Sequence, residues 1–178
     1  MIIRETTAAD TQAIWDVEKA AFGSEVEPRL VQDLLVDPTA APFISLLAFE
    51  EEKAVGHILL TRVVVQGRQD LKGMILAPMA VLPDYQRQGV GKAMIRKALE
   101  ISTHRGIDLV FVLGHIAYYP NAGFKNDANA LGFEPPYRIE EKNKDAWMAQ
   151  ELRPGIIGHC AGKVVCAEKL MKPELWRE

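Results

Sequence analysis

The sequence predicts a mixed α+β fold: a mostly antiparallel mixed sheet of six to seven strands, one parallel pair around a central helix, and further helices on the flanks. Three observations carry this. Segments rich in β-branched residues follow one another from Phe43 to Val81 with short turns between them, as in an antiparallel meander. A buried strand pattern, a helical pattern and a second apolar run then succeed each other, and strand–helix–strand order of this size gives parallel pairing. Finally, 178 residues that are 48% hydrophobic and 25% charged suit one ordinary domain, so residues 1–178 read as a single unit without repeats or linker.

The elements follow in order. Ile2 to Glu5 reads as a strand. Thr7-Ala8-Ala9-Asp10 has the form of a capping box before a helix whose apolar stripe includes Ile14, Val17, Ala20 and Ala21. Phe22 to Glu27 is a loop, Pro28 suits the first turn of a second helix carrying Leu30, Leu34 and Leu35, and Asp37-Pro38 ends it. Phe43–Phe49, Val55–Val65 and Gly73–Val81 form the meander, with turns at Glu50–Lys53 and Gln66-Gly67-Arg68. Pro83-Asp84-Tyr85 breaks the third strand. From Gly89 to His104 the positions Val90, Ala93, Met94, Ala98 and Ile101 keep helical spacing, with Gly106 just past the end. Leu109–Leu113 is a short apolar strand. Pro120 to Pro136 reads as irregular after a short helix, and Trp147–Leu152 and Lys163–Ala167 read as two strands joined at Arg153-Pro154-Gly155.

Composition narrows the function. A net charge of −3 and no clustered basic face argue against nucleic-acid binding. No apolar run approaches the roughly 20 residues that span a bilayer, and the polar, acidic start after Ile3 is unlike a signal peptide. Cys160 and Cys166 match neither a disulfide framework nor a common zinc spacing, so the reading is two reduced thiols in a cytoplasmic protein with no metal.

The informative stretch runs from Met79 to Lys92. It is a buried strand, a sharp break, and two glycines at the first turn of a helix. Unpaired amides and the positive end of the helix dipole make such a turn an anion site. Glycine lets a phosphate approach the backbone closely. Arg87 and Lys92 add charge there, so the turn suits a diphosphate. The Walker pattern fails because Ala93 follows Gly91-Lys92, and the dinucleotide fingerprint fails because Met94 stands at the third glycine.

The run Gln86-x-x-Gly89-x-Gly91, after a strand ending Met79-Ala80-Val81, resembles the acyl-CoA-binding motif of the GNAT superfamily of N-acetyltransferases. The order of elements is similar over nearly the whole chain. Gly114-His115, Tyr118-Tyr119-Pro120, Gly123-Phe124 and Ala149 to Gly155 resemble its YhbS-type branch more loosely. The resemblance implies acetyl-CoA as cosubstrate and an amine as acceptor. It implies that Met79, Ala80 and Val81 bind the pantetheine arm along their backbone and polarise the thioester carbonyl. It further implies that Arg87, Gln88, Gly89, Val90, Gly91 and Lys92 wrap the diphosphate. Tyr119, four residues before Gly123-Phe124, matches the tyrosine that protonates the departing sulfur.

An alkylamine with a reference pKa of about 10.4 must lose a proton before it attacks. Many relatives use a glutamate on the central strands, but Gly73–Val81 contains no carboxylate. Glu25 and Glu27 in the first interhelical loop, His115, or a water chain are the candidates, and Glu25 is taken with Tyr119 as the catalytic pair. Tyr118, the rival to Tyr119 as acid, reads as a packing residue, and His57 reads as a surface or packed residue. Neither cysteine sits in an activating context, which favours direct transfer over an acyl-enzyme. The alternative from another class is a non-catalytic acyl-CoA-binding sensor. The strand-rich C-terminal part is compatible with a homodimer.

Overall fold

The computed structural model describes Met1 to Arg177. It opens with β1 (Ile2–Glu5), a 3-10 turn, and α1 (Thr11–Phe22). Asp10 fixes the entry to the helix. Its carboxylate accepts the Thr7 amide at 2.7 Å and both guanidinium nitrogens of Arg4 at 2.8 Å, which holds its pKa far below the usual carboxylate range. α1 ends at Gly23, whose φ of 69° is a left-handed cap. α2 (Val26–Val36) carries Pro28 in its first turn and stops at Asp37-Pro38.

The inward stripe of α1 differs from the expected one. Ile14 and Val17 are buried, but Ala20 is exposed and Glu18 takes the inner position instead. Positions 14, 17, 18 and 21 keep helical spacing, so a carboxylate is carried into the core by the period itself.

The meander is β2 (Ile44–Glu50), β3 (Lys53–Val65) and β4 (Gly73–Val81), all antiparallel. α3 (Val90–His104) crosses over to β5 (Leu109–Leu113), which lies parallel to β4. A two-residue β6 (Phe133–Glu134) lies within the stretch 120–136 that was expected to be irregular. It pairs parallel to β8 (Gly162–Val165). β7 (Trp147–Glu151) pairs antiparallel with β5, so the main order is β1-β2-β3-β4-β5-β7, and the sheet counts eight strands with β6 and β8 included. The two C-terminal strands do not pair with each other. β8 instead extends the far end of β3 through Val64↔Val165 and Val65↔Val164.

Apolar side chains fill both faces of the sheet. One cluster lies under α1 and α2 around Leu34, Leu59, Phe111 and Trp147, and the other under α3 around Leu46, Leu60, Met94 and Val110. Trp147 stacks on Phe111 with centroids 5.2 Å apart and planes 9° from parallel. Each such fully buried side chain contributes roughly 1.5–3 kcal/mol, and together they anchor the β5–β7 edge against which the last third folds.

The feature that positions the site is a split in the sheet. β4 and β5 pair only through Gly73↔Leu109, Met74↔Val110 and Ile75↔Phe111. Beyond them both strands continue without touching as partners, β4 to Val81 and β5 to Leu113. Two local causes lie at the branching point. Between Ile58 and Leu60 of β3 the register shifts, so that Leu76 to Met79 on β4 spans three steps against two. Pro78 sits inside that bulge and has no amide to give a neighbouring strand.

Candidate active site

The split opens into a cleft of about 770 Å³. Its walls are the free edge of β4 (Leu76 to Met79, and Val81), the end of β5 with Gly114 and His115, and the first turn of α3. Phe22 and Glu27 close it from the α1–α2 side, and Tyr118 and Tyr119 from the β5 side.

On the β4 wall the backbone is paired to β3 on one edge only, through Met79↔Ile58, Ala80↔His57 and Val81↔Gly56. The opposite edge is where β5 has turned away, so its peptide groups can receive an extended ligand as a strand would. Ala80 is 2% exposed, so its side chain stays out of the cleft.

Gln86 ties the loop after β4 back to the strand by donating its side-chain amide to the Val81 carbonyl at 3.0 Å. Arg87 has a φ of 59° and Gly89 a φ of 88°, two left-handed residues that curl the chain before the helix begins. No side chain caps α3, so the amides of its first turn have no intrahelical acceptor and point out of the helix end. Arg87, Gly89, Gly91 and Lys92 line the cleft. Val90 is 4% exposed and packs into the core. Gln88 donates to the Asp84 carbonyl at 2.7 Å and lines a separate shallow groove with Glu50 and Lys53.

The two glycines serve different ends. Nothing lies within 4 Å of a Cβ built at Gly89, so its backbone angle is what demands glycine. At Gly91 a Cβ would run into the Tyr118 hydroxyl. Tyr118, read from sequence as packing, therefore reaches the helix end, and burial raises its pKa. Tyr119 is 8% exposed and is locked edgewise. Its ring stands T-shaped to Phe124 at 5.8 Å and to Tyr118 at 5.3 Å, and a Cβ at Gly114 would lie 2.5 Å from it.

The carboxylates separate as well. Glu25 is bound by Lys19 at 2.8 Å and Arg29 at 2.9 Å, bonds that lower its pKa, and it does not line the cleft. Glu27 does line it, with one oxygen accepting the Ser24 hydroxyl at 2.9 Å. Sequence reasoning had both in view. What it lacked was that Glu27 lies in the first turn of α2, while Glu25 stands at its N-cap and is held by Lys19 and Arg29. His57, expected at the surface or in the packing, is fully buried and bonded to Glu18 and Ser45.

Among the described residues no group of three or more His, Cys, Asp or Glu side chains is placed to hold a metal ion, and no helix is long and apolar enough to cross a membrane. Cys166 is buried, which pushes its thiol up to about 12.

Comparison with known proteins agrees with this geometry. Residues 2–126 match the family model of the acetyltransferase (GNAT) domain. The chain is 48% identical over 148 residues to the uncharacterised N-acetyltransferase YjhQ of Escherichia coli K12, covering 83% of this chain and 82% of that one. It is 31% identical over 126 residues to the uncharacterised N-acetyltransferase YhbS of the same strain, covering 70% and 74%. The crystal structure of Escherichia coli YhbS in complex with CoA superposes with a TM-score of 0.84 at 26% identity, over 96% of this chain and 92% of that one. A GNAT family acetyltransferase from Brucella melitensis in complex with acetyl-CoA shares the fold, with a TM-score of 0.74 at 24% identity over 95% and 97%. The fold is thus shared with proteins that hold CoA or acetyl-CoA in crystals, and this chain belongs to the GNAT acetyltransferase family.

Proposed function

We propose that the protein transfers an acetyl group from acetyl-CoA directly to a primary amine of a small molecule, peptide or protein. The observation that carries this reading is the meeting, in one cleft, of an unpaired β4 edge with the open N-terminus of α3. The first suits the amide-bearing pantetheine arm, and the second suits its diphosphate.

In this assignment the first-turn amides of α3, with Arg87 and Lys92, hold the diphosphate. Gly89 gives the loop its curl, and Gln88 and Val90 support the loop from outside and beneath. The backbone of Met79, Ala80 and Val81 aligns the arm, and an amide there stabilises the oxyanion. One such donor is worth about 3–4 kcal/mol in other acyl transfers. The amine nitrogen attacks the thioester carbon, a C–N bond forms, and the C–S bond breaks. Tyr119 delivers its hydroxyl proton to the departing thiolate. Glu27 takes the proton that the amine loses. Glu25, expected from sequence to share this work, keeps instead the surface pairing of α1 with α2. A purely sensing module would not need Tyr119 and Glu27, and both line the cleft.

The test is a calorimetric titration with acetyl-CoA, with ATP and NADH as controls, followed by a thiol-release screen against an amine panel. Selective acetyl-CoA binding with amine-dependent thiol release is expected. Equal binding of ATP, or binding without release from any amine, would overturn the assignment.

A further inference from the structure

The cleft has two ends of different chemistry. The first turn of α3 brings Arg87 and Lys92, whereas the α1–α2 side brings Phe22 and Glu27, and the C-terminal segment adds Leu175. On the transferase reading the diphosphate fills the first end, which leaves the second to the acceptor. Phe22 is the last residue of α1, and the left-handed cap at Gly23 stops the helix directly after it. Leu175 lies in a closing 3-10 turn (Pro173–Trp176). The neighbouring Trp176 anchors that turn: it is buried, donates its indole N–H to the Leu170 carbonyl at 2.8 Å, and stands T-shaped to Trp147 at 5.5 Å. Both apolar side chains are thus carried on backbone that is held in place.

Charge is the first constraint on what this end can bind. Glu27 is the only carboxylate among the described residues that line the cleft. Glu25 is committed to Lys19 and Arg29, and Glu174, next to Leu175, does not line the cleft. One carboxylate serves one ammonium group. A second ammonium brought into the cleft would lose its water without gaining a partner. Apolar exposure is the second constraint. Seven large apolar side chains are exposed among the described residues, and four of them, Phe22, Val26, Ile116 and Tyr118, belong to the two chain segments that wall the cleft. Phe22 and Tyr118 line it, and Val26 and Ile116 stand next in the chain to the lining residues Glu27 and His115. Apolar surface gathered at a cleft is what a ligand with an apolar body covers.

We propose that the acceptor is a small monoamine with an apolar body, aromatic or branched, that sets its nitrogen at Glu27 and its body against Phe22 and Leu175. These two side chains are then specificity-determining residues with no part in the bond changes. The size of the cleft agrees. Its volume of about 770 Å³ must also take the pantetheine arm, which leaves room for a ring and a short chain. A peptide N-terminus fits less well, because its backbone amides would enter against Phe22 and Leu175, which offer no hydrogen bond. A polyamine fits worst, since its further ammonium groups meet no second carboxylate.

This inference deepens the transferase reading and rests on it, so the experiment separates the two. Thiol release from acetyl-CoA is measured with phenethylamine, putrescine, spermidine and an apolar tripeptide, in wild type, Phe22→Ala, Leu175→Ala and Phe22→Asp. Calorimetry with acetyl-CoA shows that each variant is folded. In wild type, kcat/KM for phenethylamine should exceed that for putrescine by about tenfold or more, the order of discrimination that an apolar pocket gives. Phe22→Ala and Leu175→Ala should each remove most of that ratio. Phe22→Asp, which brings a second carboxylate into the cleft of Glu27, should turn the preference toward putrescine. A merely structural defect lowers turnover with every amine together and cannot reverse a ratio. Preference of the wild type for putrescine, spermidine or the tripeptide, or a ratio that none of the variants changes, would overturn the inference and leave the transferase reading standing. No thiol release with any amine would overturn the transferase reading, and this inference with it.

Discussion

The Tyr118 hydroxyl fills the space in which a side chain at Gly91 would begin. The glycine is therefore dictated by a tyrosine from the other wall of the cleft as much as by any phosphate. Without the hydroxyl, the nearest neighbours of a Cβ at position 91 would be the Met79 methyl at 3.4 Å and the Tyr118 ring carbon at 3.5 Å, ordinary contacts. Gly91→Ala should thus destabilise the wild type by about 1 kcal/mol and a Tyr118→Phe background by much less, a coupling within the usual range for touching residues. Thermal melts of the two single variants and the double variant measure it, and strictly additive effects would show that the contact is absent.

Tyr118 and Tyr119 are adjacent in sequence and share a cleft, so their roles must be separated by kinetics. Tyr119 is clamped between Phe124 and Gly114, which suits a group that must present its hydroxyl in one place. Tyr119→Phe should lower kcat by about 100-fold or more, as loss of a general acid does, with acetyl-CoA affinity nearly unchanged. Tyr118→Phe should act in the other direction, mainly on affinity. Steady-state kinetics with calorimetry of both variants decide it, and a Tyr119→Phe enzyme within a few-fold of wild type would move the acid elsewhere.

The elements that local pattern controls were legible in the sequence. Gly73–Val81 and Leu109–Leu113 have the bounds expected of them, and α3 begins one residue past Gly89, because each is an apolar run closed by proline or glycine. The glycine turn was legible for the same reason, whereas Tyr119 was singled out only by its resemblance to a family tyrosine four residues before Gly123-Phe124. What escaped was set by distant partners. β8 finds β3 about a hundred residues earlier, so its own sequence says nothing of where it pairs. Tyr118 looked like packing because its target, Gly91, lies on another element. Ala20 and Glu18 compete for one stripe, and hydrophobicity alone favours the alanine. Only His57, coming from β3, makes the carboxylate tolerable inside.

Glu25 and Glu27 are two residues apart and should respond oppositely to the same change. The Glu25 carboxylate is exposed and tied to two surface cations, a kind of pairing that solvent largely screens. Glu25→Gln should leave turnover within about twofold of wild type, since no cleft atom is altered. Glu27→Gln removes a proton acceptor from the cleft wall and should cost about 100-fold in kcat/KM. Parallel assays on whichever amine the panel yields compare them directly. Equal losses would mean that lining the cleft does not set Glu27 apart from Glu25 in catalysis.

Glu18 gives the fold a pH dependence of unusual sign. Burial raises its pKa, the repulsion from Glu27 adds to that, and the bond to His57 opposes both without cancelling the rise. The folded state therefore binds a proton that the unfolded chain gives up near its ordinary value of about 4.3. Stability from this group is fully present below that pH and is lost as pH rises toward the folded value, the reverse of a buried, ion-paired carboxylate such as Asp10. Glu18→Gln keeps an acceptor for His57 but cannot ionise, so it lacks this slope. The melting temperature of the variant relative to wild type should climb from acid toward neutral pH. Two parallel curves would mean that Glu18 keeps the same proton count in the folded and unfolded chain, and that its burial is electrostatically neutral.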